Sequence, residues 1–157
     1  MEYIFGDKLV KFTDEVVDIL NSYRQVKKKQ HEAGGILLGR IFDDQIIIQQ
    51  ITTPGPGDKS GRYFFERNVK RAQWFVDLAW RSSNGEVIYL GEWHTHPEPV
   101  PRPSSVDRKL ITNMLRDSKM SIDFLFLVIV GTEEKYVAVQ FVGSDTSLKQ
   151  LEQRISV

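Results

Sequence analysis

The stretch GEWHTHPEPVPRPSSVD, residues 91–107, concentrates side chains that can do chemistry. It holds His94 and His96, two of the three histidines in the chain, then Pro97, Pro99, Pro101 and Pro103, and finally Ser104 and Asp107. In a β-strand, residues two apart share a face, with Cα atoms roughly 7 Å apart. Both imidazoles then reach a single ion about 2.0–2.1 Å from each ring nitrogen. The alternating prolines force a stiff, extended excursion with few backbone donors. Ser104 and Ser105 suit a helix N-cap, which puts Asp107 in the first helical turn and returns a carboxylate beside the histidines. Two histidines and one carboxylate leave the fourth tetrahedral position open for water, the pattern of catalytic metal sites. Plainer readings stand beside these: an incidental strand pair of histidines, an Asp107 that only complements the helix dipole, a Ser104 that only caps.

Hydrolysis at such a site needs a carboxylate that takes a proton from water and returns it to the leaving amine. Two glutamates are candidates. Glu92 lies two residues before His94, so alternation puts it on the same strand face. Glu32, in HEAGGILLG, precedes a glycine-rich strand start where a neighbouring backbone can come close. Spacing alone leaves both open, and a surface glutamate is the plain alternative for either.

The rest of the chain must position these groups. Thr13 as N-cap, Asp14 and Glu15 in the first turn, and Val16, Ile19, Leu20 and Tyr23 at helical spacing predict a helix ending in Lys27, Lys28 and Lys29. GGILLGRIF and QIIIQQI (45–51) read as a hairpin across Asp43 and Asp44. Residues 53–61, TPGPGDKSG, read as a mobile loop. Helical spacing resumes from Arg67 to Trp80, with Trp74 and Trp80 expected in the core or lining a groove. EVIYLGEWHTH is a strand, and Ser104 onward a helix with Val106, Leu110, Ile111, Met114 and Leu115 on one face. FLFLVIV (124–130) is a buried strand with YVAVQFV (136–142) beside it, and TSLKQLEQRISV is expected to form a short amphipathic helix.

Composition bounds the rest. The 157 residues suffice for one domain with its own core, and no repeat or second domain is evident. Lys plus Arg equals Asp plus Glu at 21 each, which argues against nucleic-acid binding by bulk phosphate neutralisation. The absence of cysteine excludes disulfides, thiolate zinc sites, cysteine nucleophiles and the zinc nucleobase deaminases. MEYIFGDKLVKF lacks a signal-peptide pattern, and no apolar run approaches the roughly 20 residues of a membrane span. The expectation is a cytoplasmic monomer or weak dimer.

Glu32 followed by GGILLG, then HTHP, with seven residues between His96 and Ser104, and SSVD together resemble the JAMM signature of the JAB/MPN metalloproteases. His94, His96, Ser104 and Asp107 match at every spacing, and the family's glutamate falls on Glu32. The order of elements resembles that fold over nearly the whole chain. The resemblance implies an α/β (α+β) fold, a mixed β-sheet flanked by helices, forming a single JAB/MPN domain over residues 1–157. It implies a zinc isopeptidase holding one Zn2+ per chain through the counterparts of His94, His96 and Asp107. Glu32 would polarise the fourth-site water and shuttle its proton, and Ser104 would help stabilise the oxyanion. Many relatives carry an aromatic where this chain has Glu92, whose part is then beside the metal or on the substrate. Family members mostly cut after the C-terminal tail of a ubiquitin-like protein, which lies extended along a strand edge. The walls of such a groove are expected in 53–65 and around Trp74–Trp80, with Arg62, Arg67, Lys70 and Arg71 either meeting an acidic partner or forming a solvated face.

The compact length and GEWHTHPEPVPRPSSVD further resemble the deconjugating proteases of CBASS anti-phage operons. Such a protease reverses E1–E2-like attachment of a cyclic-oligonucleotide synthase (CD-NTase) C-terminus to a target. Alternatives are a processing protease for a ThiS/MoaD-like sulfur carrier and a non-catalytic MPN-type scaffold.

Overall fold

The computed structural model describes residues 1–143 and 147–155. Two strands absent from the sequence reading open the chain. β1 (Glu2–Phe5) and β2 (Lys8–Phe12) form a hairpin turned at Gly6, whose φ of 61° suits glycine. α1 (Asp14–Ser22) follows, with Thr13 accepting from the Val16 N–H as expected of its cap. The helix is shorter than expected, and Lys27–Lys29 lie in a turn beyond it. β3 (Gly34–Ile41) and β4 (Gln45–Ile51) pair as the expected hairpin. The 53–61 segment is not loop throughout. It runs into a small hairpin, β5 (Lys59–Gly61) and β6 (Phe64–Glu66), fastened at its base by Asp58, which accepts from the Gly55 and Asn68 N–H groups.

α2 (Val69–Ser82), β7 (Ile88–Thr95), α3 (Ser105–Asp117), β8 (Phe124–Val130) and β9 (Lys135–Phe141) then follow in the anticipated order. The tail departs from expectation. Instead of a helix it forms two short strands, β10 (Lys149–Gln150) and β11 (Glu152–Gln153). Its apolar spacing, Leu148, Leu151 and Ile155, is compatible with a helix, but two open sheet edges offer this segment backbone partners. Leu151 packs into the main core, Leu148 against the α3 cluster, and Ile155 is exposed; Thr146, Ser156 and Val157 lie outside the described residues.

Among the described residues, nine strands form one mixed sheet in the order β10-β9-β8-β7-β3-β4-β2-β1-β11, with β2–β4 and β7–β8 parallel. The sheet curls far enough for Phe5 of β1 to meet Phe124, Phe126 and Phe141 at ring-centroid distances of 5.2, 5.4 and 5.8 Å. α1 packs Val16 and Leu20 onto the concave side, with Phe126, Val128 and Val130. The alternate residues of β8, Leu125, Leu127 and Ile129, bury against Ile111 and Leu115 of α3, while α2 covers Ile36 and Leu38 of β3. Both faces of the central strands are therefore covered, which is why FLFLVIV reads as an unbroken apolar run rather than an alternating one.

Candidate metal centre

The register of β3 against β7 places the first carboxylate. Gly34 faces His94 and Gly35 faces Trp93, so two residues further out Glu32 comes opposite His96. Thr95 fixes this junction, donating its N–H to Ala33 O and accepting the Ala33 N–H on Oγ1, both at 2.9 Å. The paired glycines are needed here. A Cβ on Gly35 would lie 2.1 Å from Thr52 O, and one on Gly34 would lie 2.6 Å from Phe65 and 2.7 Å from Trp93 O. Buried Gln25 holds the same corner, accepting from the Thr95 hydroxyl at 2.8 Å and donating to Gln30 O and Arg62 O. The outcome is a cluster in which Glu32, His94 and His96 each bring a ligand atom within 4.8 Å of the others.

Asp107 closes the cluster from α3. Ser104 caps that helix in a complete capping box: its Oγ accepts the Asp107 N–H at 3.1 Å, and its own N–H donates to Asp107 Oδ2 at 2.7 Å. The cap thus aims the carboxylate. Asp107 Oδ1 lies 2.8 Å from His94 Nε2, and Oδ2 lies 3.2 Å from His96 Nε2. The approach to His94 is close but misaligned for a hydrogen bond, and this buried Nε2 has no hydrogen-bond partner among the described residues. A buried nitrogen left so costs about 1–3 kcal/mol. A cation accepting its lone pair would remove that cost. Two imidazole nitrogens and a carboxylate converging on one point are a donor set that fits a divalent transition metal.

Burial pushes the Glu32 carboxyl up to about 7; His96 pulls it the other way, while Asp107 and Glu98 push further. A carboxyl poised there can both take and give a proton near neutrality. For Asp107 burial works against ionisation, but the adjacent His94 and His96 outweigh it and hold the carboxyl well below the usual range. The Ser104 hydroxyl spends only its acceptor side on the cap, so its own proton is available to a developing oxyanion.

A family model for prokaryotic homologues of the JAB domain matches residues 19–142. The chain belongs to the prokaryotic JAB family. An Escherichia coli (strain TW11681) protein named CD-NTase/cGAS isopeptidase is 34% identical over 144 residues, covering 92% of this chain and 90% of that one. A Vibrio cholerae protein of the same name is 34% identical over 155 residues, covering 97% of each. Among solved structures, a Desulfitobacterium hafniense protein shares the fold at a TM-score of 0.60, with 21% identity and coverage of 90% and 88%.

In this JAB-family chain a groove of about 850 Å³ runs from the cluster of Glu32, His94, His96 and Asp107 between the β5–β6 hairpin and α3. Tyr63, Phe64 and Val69 form one wall and Val106, Leu110 and Met114 the other. The expected walls are only partly right. Trp74 and Trp80 are 54% and 56% exposed and do not line it, because α2 turns Ala72, Phe75, Val76 and Ala79 toward the sheet instead. Two of the basic residues considered for an acidic partner are consumed internally: Arg71 binds Asp58 and Thr53 O, and Arg67 binds Glu92.

Glu92 lines this groove on the same side as His94, yet both its oxygens are taken. Arg67 Nε and Nη2 donate to Oε1 and Oε2 at 2.6 and 3.2 Å, and the Tyr89 hydroxyl also donates to Oε2. Of the two candidate bases, only Glu32 clusters with the histidines. The Arg67–Tyr89 cradle was not readable from sequence. Tyr89 is three residues from Glu92, and the two meet only because β7 carries a bulge at Leu90–Gly91.

Proposed function

We propose that this JAB-family chain is a zinc-dependent isopeptidase. It cleaves after the C-terminus of a CD-NTase attached to a target, reversing an E1–E2-like conjugation in CBASS defence. The observation that carries the chemistry is the convergence of Glu32 on His94, His96 and Asp107 at the head of the groove. The similarity to proteins named CD-NTase/cGAS isopeptidase supports the substrate. In this reading residues 1–157 act as one cytoplasmic domain; no helix among the described residues is long and apolar enough to cross a membrane.

His94, His96 and Asp107 would hold the zinc, which when bound acidifies water and polarises the scissile carbonyl. The apolar walls of the groove hold the substrate tail extended and exclude water from it. Glu32 takes a proton from the attacking water at its carboxylate and delivers it to the departing lysine or backbone amine. Ser104 Oγ–H donates to the oxygen that gains charge in the tetrahedral intermediate. Asp107, held by two hydrogen bonds to Ser104, keeps its orientation while charge moves.

The test is intact-mass analysis of a fusion at the CD-NTase C-terminus, incubated with wild-type protein or Glu32→Ala, with bound zinc measured. Cleavage at the last CD-NTase residue is expected, falling by at least about 10²-fold in the variant. A zinc-loaded protein that leaves this fusion intact would move the substrate elsewhere. Neither zinc nor cleavage would overturn the metallopeptidase reading.

A further inference from the structure

The Pro-rich excursion after β7 is fastened to the β8–β9 turn. Thr132 N–H donates to Glu98 O at 2.9 Å, and the N–H groups of Glu133 and Glu134 reach Pro99 O at 3.3 and 2.9 Å. Gly131 permits this contact: a Cβ there would lie 2.7 Å from Glu98 O and 2.6 Å from Pro101 Cδ. The Glu98 side chain is held as well, since Oε1 accepts the Arg102 N–H at 3.0 Å. The same oxygen lies 3.0 Å from His96 Nδ1. A carboxylate only accepts, so the proton at this contact sits on Nδ1. In the neutral ring, the form that can bind a cation, the lone pair is then on Nε2, the nitrogen turned toward Asp107.

We propose that Glu98 is a positioning residue of the metal centre, fixing the tautomer and rotation of His96 so that Nε2 faces the cation. This role rests on the metal-site reading above and extends it to a side chain outside the matched H-x-H and S-x-x-D pattern. The loop that carries Glu98 is built against a separate turn of the sheet, so its carboxylate waits in place before any metal arrives. Such partners of ligating imidazoles typically carry about 10–100-fold in metal affinity. The Glu98 side chain is 45% exposed, so water competes for the bond and the lower part of that range is expected.

Zinc dissociation constants from competition with a chromophoric chelator decide the matter, measured on the full chain as wild type, Glu98→Ala and Glu98→Gln. Cobalt(II) absorption spectra report the ligand geometry in parallel. Glu98→Ala is expected to weaken zinc about tenfold or more and to shift the cobalt bands. Glu98→Gln keeps an accepting oxygen without the charge and should fall between. If the alanine variant does not fold, a glutamine variant that binds zinc as tightly as wild type with an unchanged cobalt spectrum overturns the role. Tight zinc binding by wild type and Glu98→Ala alike overturns it too, and leaves the metal centre standing. A wild-type chain that binds neither metal overturns both.

Discussion

His96 faces opposite demands with and without a metal. In the metal-free chain burial works against a charged ring, but hydrogen bonds to Asp107 and Glu98 outweigh it and lift His96 to about 9. An unfolded histidine titrates near 6.5, within about one unit. Because the folded value is the higher one, the charged ring stabilises the fold fully below about pH 6.5, and that contribution is lost as pH rises through about 9. Asp107 stays ionised across this window, so the partner charge is constant. If His96 holds the metal as proposed, binding requires the neutral ring and therefore strengthens over the same range. Scanning fluorimetry of chelator-treated protein should show Tm falling from pH 6.5 to 9, with the gap between zinc-loaded and metal-free protein widening. A metal-free Tm that stays level across that window would show that the His96–Asp107 pair is not formed. At this scale the side chains proposed to hold the metal are legible from sequence, because H-x-H on a strand and an acid at N3 of a capped helix are local geometries. The choice of Glu32 over Glu92 is not local. It depends on which strand lies beside β7 and in what register.

The element that decides most is β7. Leu90 is the extra residue between the pairs Leu37↔Gly91 and Leu38↔Tyr89, and Gly91 carries a φ of 152°. The bulge brings Tyr89 to the face of Glu92, so the groove floor becomes a satisfied Arg67–Glu92–Tyr89 cluster. A Cβ at Gly91 would lie 2.0 Å from Phe126 O, on the parallel neighbour β8. Gly91→Ala should therefore lose about 2–5 kcal/mol in urea unfolding, from backbone strain and forced separation of β7 from β8. A loss under about 0.5 kcal/mol would mean that the strands part without cost. The glycine stands in the sequence, but nothing in EVIYLGEWHTH says that it marks a bulge.

At the scale of the whole molecule, the two edges of the sheet are bridged by one short segment. β10 pairs with β9 and β11 with β1, and Leu151 between them donates its N–H to Val137 O while its side chain joins the core. Ending the chain before Lys149 should remove on the order of 1–2 kcal/mol of Leu151 burial. It would also leave β1 and β9 as bare edges, so light scattering should reveal self-association. A truncated chain that melts and scatters as the full one does would show that the bridge is dispensable. The tail's helical spacing misleads because amphipathic period predicts structure only where no stronger partner competes, and here two sheet edges compete.

What the sequence by itself determined is the chemistry: two histidines at strand spacing, a capped aspartate, a glycine-led strand behind a glutamate, and a β8 apolar on both faces. These follow from nearest-neighbour geometry and burial pattern. Tertiary structure alone decided that Glu32 faces His96, that Glu92 is tied to Arg67 and Tyr89, that Glu98 reaches His96, and that α3 rather than Trp74 and Trp80 walls the groove. Each of these depends on strand register or on packing between segments distant in sequence or across a loop, which no local pattern encodes.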